Sequence, residues 1–209
     1  MIPIHKNPAN EPESWKAYRE TPGADYAPSH DLRQALLAEQ GHICAFCMRR
    51  IPLSKKDPNE AETSKIAHLL ARARHPDRKF DYANMVLCCP GNINGQPHCD
   101  KSQGSADVTL PLFGPQLRAD ISYGLHTGEI KCPQEEWRIQ ITEVLNLNTP
   151  LLRANRLQAL NGVRQILETK KWTRCKLIEK LKEWSGVDRQ GKLKPFCGIV
   201  GWYLQKKLG

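Results

Sequence analysis

The chain has 209 residues, 40% of them hydrophobic and 25% charged, with eight cysteines and a formal net charge of +9. That supports a real core in one large domain or a small module with an extension, and no run approaches the roughly 18 to 20 apolar residues of a membrane span. The opening Met1-Ile-Pro-Ile-His-Lys-Asn-Pro8 lacks the apolar stretch of a secretory signal, so the thiols are expected to bind metal in a reducing cytoplasm rather than to form disulfides.

Residues 1–28 are rich in Pro and Asn and are expected to wrap over the core, with one short helical stretch near Trp15–Tyr18. Ser29 then offers a cap, Leu32, Leu36 and Leu37 recur at helical spacing, and Gly41 supplies a stop, which predicts a helix over about 30–40. That helix delivers the chain into Cys44-Ala-Phe-Cys47, read with Ile43–Ile51 as a tight turn between short extended pieces. The polar segment Pro52–Glu62 reads as a loop, Lys65–Leu70 as a buried strand and Arg72–Arg78 as a basic loop. Pro90–Pro97 is dense in turn formers and also reads as a loop, and the alternation around Gly128–Lys131 suggests a minor hairpin.

From residue 149 the pattern turns helical. Thr149 caps, Pro150 suits the first helical position, and Leu152, Leu157, Leu160, Val163, Ile166 and Leu167 follow at three-to-four spacing. Further helices are predicted over about Thr173–Trp184 and Pro195–Lys207. Charge follows the same division. Residues 1–149 hold 17 Lys/Arg against 18 Asp/Glu, a net of −1, whereas residues 150–209 hold 14 against 4, a net of +10. A concentration of this size attracts polyanions; a solvated helical face or a surface for an acidic protein is the plainer alternative.

Cys44 and Cys47 provide two zinc ligands from a single turn. Cys89 and Cys99 are the preferred second pair, with Cys88 and His98 each one residue away. Cys132, Cys175 and Cys197 stand alone and read as packing residues. Between the thiol pairs lie His68, ending a short apolar strand, and Asn84.

The order Cys44-x-x-Cys47, His68, Asn84, Cys89, Cys99-Asp100 resembles the cysteine-bearing HNH endonucleases. Ile43–Cys47, Cys89-Pro-Gly-Asn92, Cys99-Asp-Lys101 with Gly104, Leu145–Asn148 and the ending Pro195–Leu204 look like the HNH component of Septu-type and retron-associated antiphage systems. The likeness implies an α+β, predominantly helical fold: a zinc-stabilised ββα-metal core over 42–110, an N-terminal wrapping segment and helix over 1–41, a connecting segment over 111–148 and a basic helical region over 149–209. It implies His68 as general base, Asn84 as the residue holding the His68 loop, and Asp100 as ligand to a catalytic magnesium or manganese ion, with the zinc structural. Arg72 and Lys101 are candidates for phosphate contact, with plain surface charge as the alternative. Implied partners are an ABC/SMC-like ATPase, nucleic acid (DNA or RNA) and, in retron-linked forms, a reverse transcriptase and its DNA.

Two positions depart from that pattern. Ala67 precedes His68 where the likeness leads one to expect a glutamate ligand, and Gln103 stands where a basic residue is commoner. Ala67 favours the competing possibility, an inert zinc-binding adaptor that binds nucleic acid or the ATPase without cutting.

Overall fold

The computed structural model describes residues 1–52, 63–93, 95–169 and 172–209. The predicted loop Pro52–Glu62 therefore falls, beyond Pro52, outside the described residues. Helix dominates, and the described strands form three two-stranded antiparallel sheets. No helix among the described residues is long and apolar enough to cross a membrane.

Helix α1 spans Glu13–Arg19 and buries Trp15 completely. Its indole packs with Tyr18, Tyr26 and Phe80, and Nε1 donates to the Phe80 carbonyl at 3.2 Å, so a polar handle is satisfied inside an aromatic cluster. Helix α2 spans His30–Glu39, capped by Ser29, whose hydroxyl accepts from Leu32 N at 3.2 Å. Leu32, Leu36 and Leu37 are its buried face. Glu39 at its end accepts from Lys6 Nζ and from Asn7 N, both at 3.0 Å, which pins the N-terminal segment over the core.

Strands β1 (Lys65–His68) and β2 (Met85–Cys88) pair antiparallel, with Lys65 opposite Cys88 and His68 opposite Met85. The strand ends at His68, two residues short of the predicted run. Gln40 joins α2 to this hairpin: its side chain accepts from Leu87 N and donates to Leu87 O, both at 2.7 Å. The expected loop at Pro90–Pro97 instead contains a small hairpin, β3 (Asn92–Ile93) with β4 (Gln96–Pro97); its turn formers reverse two extended pairs. Helix α3 (Asp100–Gln103) follows and lies against β1.

Residues 111–148 are richer than a connecting segment. They contain α4 (Gln116–Asp120), the expected hairpin as β5 (Ser122–Tyr123) with β6 (Ile130–Lys131), and α5 (Glu135–Ile139) running into a π-helical turn over Gln140–Val144. Helices α6 (Pro150–Thr169), α7 (Arg174–Ser185) and α8 (Cys197–Leu208) complete the chain close to the predicted bounds. Their apolar faces do not form a separate unit. Leu152, Leu160, Val163, Ile199 and Leu204 join the same buried cluster as Trp15, Leu36 and Leu87.

One basic residue of the last third is inside. Arg156 on α6 is fully buried, and its guanidinium donates to Gly128 O at 2.5 Å, Leu147 O at 2.9 Å and Asn148 Oδ1 at 3.1 Å. Gly128 has φ +64, and a Cβ there would stand 2.3 Å from Arg153 O, so only glycine lets the β5–β6 turn approach α6 this closely.

Candidate functional site

The thiols of Cys44, Cys47, Cys89 and Cys99 are all buried, and their Sγ atoms lie within 4.8 Å of one another. Cys44 to Cys99 is 3.7 Å, Cys47 to Cys89 3.7 Å and Cys89 to Cys99 3.9 Å. A tetrahedron with zinc–sulfur bonds of about 2.3 Å has edges of about 3.8 Å, whereas a disulfide needs about 2.05 Å. The four thiols are placed to hold a metal ion, and their spacing fits zinc. Hydrogen bonds with Cys44 and Cys89 push the Cys47 thiol up, and burial pushes Cys99 up; a dication among them is what would let all four ionise.

The backbone explains how distant residues meet. Cys44 N donates to Arg49 O at 2.8 Å and Met48 N to Cys44 O at 3.0 Å, closing the first knuckle, and Ala45 N donates to Leu87 O at 3.1 Å, setting it against β2. Cys89 directly follows β2. The chain turns back at Gly91, with φ +73, and His98 N donates to Gly91 O at 2.7 Å. Cys99 then enters with φ +55 and donates its N–H to Leu145 O at 2.8 Å.

The nearby alternatives stand apart. Cys88 donates its thiol to Lys65 O at 3.4 Å. His98 is buried with Nε2 3.6 Å from Cys89 Sγ and Nδ1 3.2 Å from Gln96 O, a position behind the thiol cluster rather than in it. Cys132 and Cys197 are buried as expected, but Cys175 is exposed, because it opens α7, which buries no residue fully.

A second centre lies at the exit of β1. His68 is 6% exposed, its Nε2 is 3.0 Å from Lys79 O, and its ring meets Tyr26 edge-on at 5.2 Å between centroids. A carbonyl only accepts, so Nε2 carries the proton and Nδ1 keeps its lone pair. Burial lowers the His68 pKa from 6.5 to about 4, with nearby Arg72 adding to the effect, so the ring is neutral at pH 7.

Asn84, 3% exposed, clamps the segment after His68. Its Oδ1 accepts from Leu70 N at 2.7 Å, while Nδ2 donates to Leu70 O at 2.9 Å and to Arg78 O at 3.2 Å. Its own carbonyl accepts from Leu69 N at 2.9 Å.

His68, Asp100 and Arg72 line one pocket of about 280 Å³, together with Tyr26, Arg33, Lys65 and Gln103. Burial raises the Asp100 carboxyl, offset by Lys65 and Arg72. Arg72 sits 4.3 Å over the Tyr26 ring. Lys101 is exposed and does not line the pocket. Ala67 is fully buried opposite Val86. Alternation along β1 puts it on the face shared with Lys65 and Cys88, the face that Asp100 also meets.

Sequence reasoning passed over Tyr26, Arg33 and Lys65 as site groups. Tyr26 and Arg33 come from the segment before and within α2, and nothing in their spacing marks them. Gln103 entered only as a departure, yet its Nε2 donates to His68 O at 2.7 Å and Ala106 O at 3.0 Å. The Tyr26 hydroxyl and Gln103 Oε1 are both buried without a hydrogen-bond partner among the described residues, which is unusual for native polar atoms. No protein-family model matches this chain, and no curated protein matches it significantly.

Proposed function

We propose that the chain is a metal-dependent HNH-type nuclease that hydrolyses phosphodiester bonds in nucleic acid, with β1, β2 and α3 as its ββα unit. The observation that carries this is the convergence of a neutral, carbonyl-oriented histidine, a carboxylate and three cations on one pocket, beside a loop clamped by asparagine. His68 Nδ1 accepts a proton from the attacking water. Arg33, Lys65 and Arg72 hold the phosphodiester, and Asn84 fixes the segment that leaves β1 beyond His68. Asp100 would hold magnesium or manganese, which when bound stabilises negative charge on the phosphate and leaving oxygens. The four-thiol centre is a structural zinc site, because a closed tetrahedral set leaves no open position.

The carboxylate count favours a second reading. Ala67 has no donor atom, so an inert zinc-bearing adaptor shares every other feature. In either case the partner is an ABC/SMC-like ATPase of an antiphage system, joined in retron-linked forms by a reverse transcriptase and its DNA, all acting in the cytoplasm. The +10 of residues 150–209 supports docking or backbone grip. Since α6 and α8 are part of the common core, deletion would unfold the chain. Charge reversal at exposed Lys176 and Lys182 on α7 should weaken ATPase or nucleic-acid binding without altering zinc content, and unchanged binding of both would remove that role.

The deciding experiment is cleavage of single- and double-stranded DNA and of RNA with manganese. The chain as it stands should cut weakly, Ala67→Glu should raise cutting strongly, and His68→Ala in that background should abolish it. No cutting by either the parent or Ala67→Glu would leave the adaptor; efficient cutting unchanged by Ala67→Glu would show that the metal site is differently built.

A further inference from the structure

We infer that Tyr26 is a positioning residue: its one aromatic ring places both the Arg72 guanidinium and the His68 imidazole. This rests on the nuclease reading, which gives those two groups their tasks, and adds the residue that sets them. Arg72 Cζ sits 4.3 Å over the Tyr26 ring, and the His68 ring meets it edge-on, at 5.2 Å between centroids and 66° between planes. All three residues line the pocket. Tyr26 is itself held from behind. Trp15, fully buried, meets it edge-on at 6.1 Å, and Phe80 packs on it at 6.3 Å. The Tyr18 hydroxyl donates to Asp25 O, which fixes the backbone just before the ring. Phe80 also follows Lys79, whose carbonyl accepts from His68 Nε2, so one segment sets the ring and the imidazole together.

Arg72 needs such a guide. It is exposed, and among the described residues it makes no hydrogen bond and no ion pair. The backbone beside it is tied, since Ala71 N donates to Asp107 Oδ1 at 2.8 Å. The side chain beyond is long, and an unguided arginine loses many rotamers when it grips a ligand. Resting the guanidinium on an aromatic face restricts that freedom in advance and leaves its in-plane N–H donors open to a phosphate. Such preorganisation strengthens binding without a new contact to the ligand. The Tyr26 hydroxyl has no part in this. It is buried without a partner among the described residues, so the ring alone carries the role.

The test is binding of a thymidine dinucleotide, which carries a single phosphodiester, to the zinc-loaded full chain by nuclear magnetic resonance titration. Tyr26→Met, which keeps an apolar side chain but removes the ring, should weaken binding about fivefold, as should Arg72→Ala. The double variant should lose no more than either alone, because the ring acts through Arg72. The conservative Tyr26→Phe, which keeps the ring, should stay within about twofold of the parent. In the Ala67→Glu background, Tyr26→Met should lower kcat as well as raise KM, since His68 is loosened too, and Tyr26→Phe should restore both. Zinc content reports that each variant is folded. If Tyr26→Met fails to fold, the parent decides: Arg72 side-chain protons over the ring should resonate upfield of those of the other exposed arginines, and no upfield shift overturns the inference. Binding lost in Arg72→Ala but unchanged in Tyr26→Met, or losses that add in the double variant, overturns it while leaving the nuclease intact. No dinucleotide binding by the parent also overturns it. Ring-dependent binding in a chain that never cuts, even as Ala67→Glu, would remove the nuclease reading and leave Tyr26 as the residue that places a phosphate-binding arginine.

Discussion

Asn84 offers the sharpest test of how the His68 loop is held. Asn84→Ala removes three hydrogen bonds, of 2.7, 2.9 and 3.2 Å, from a side chain that is 3% exposed. At about 1 kcal/mol net for each, the loss is roughly 3 kcal/mol, a large share of the 5–15 kcal/mol of a typical domain. Asn84→Asp separates donor from acceptor. Its carboxylate still accepts from Leu70 N, but it presents an oxygen to the carbonyls of Leu70 and Arg78. Protonation restores one donor, so the folded pKa of this aspartate is raised above its unfolded value of about 3.9. The stability it contributes is then present below that unfolded value and is lost as pH rises through the folded one. Urea unfolding followed by tryptophan fluorescence should show Asn84→Asp close to the parent near pH 4 and falling behind it towards pH 7. A loss below about 1 kcal/mol for Asn84→Ala, or a pH-independent penalty for Asn84→Asp, would refute the clamp.

Metal analysis should find one zinc per chain, and Cys44→Ser should lose it together with several kcal/mol of stability, since binding to such a site is folding energy; pure folded protein without zinc would contradict this. Gly91→Ala should cost at least about 2 kcal/mol and lower zinc content, because φ is +73 and the added Cβ would meet His98 O at 2.4 Å; an unchanged melting temperature would count against the tight return to Cys99. His68 binds fewer protons when folded than unfolded between pH 6.5 and about 4. Its share of stability is complete above 6.5 and is lost as pH falls to about 4, up to roughly 3 kcal/mol. His68→Gln should remove that part of the acid sensitivity in pH-dependent unfolding.

Local signals carried the parts of this structure that are local. Ser29 with its leucine spacing announced α2, Thr149-Pro150 announced α6, and Cys44-x-x-Cys47 announced the first half of the four-cysteine cluster, since each depends on residues a turn or two apart. The sequence preferred Cys99 but left His98 open beside it, because the choice hangs on a left-handed backbone at Cys99 and a return at Gly91. Helices α4 and α5 have five residues each, too few for a periodic stripe to form. Arg156 entered only in the charge count of the last third, and the carbonyls of Gly128 and Leu147, brought from elsewhere in the chain, make it a core residue. Gln103 was hidden for the same reason: its partners are backbone atoms, which leave no mark on sequence.

Gln40 has a consequence for the outer edge of β2. A two-stranded ribbon exposes backbone donors and acceptors along its outer side, an invitation to strands of other molecules. Leu87 would be such a point at the middle of β2, but the Gln40 amide offers it one acceptor and one donor, both at 2.7 Å, in place of another chain's peptide group. The side chain thus closes the ribbon like the last stitch of a seam, and Gln40→Leu would leave the buried Leu87 N–H without its acceptor.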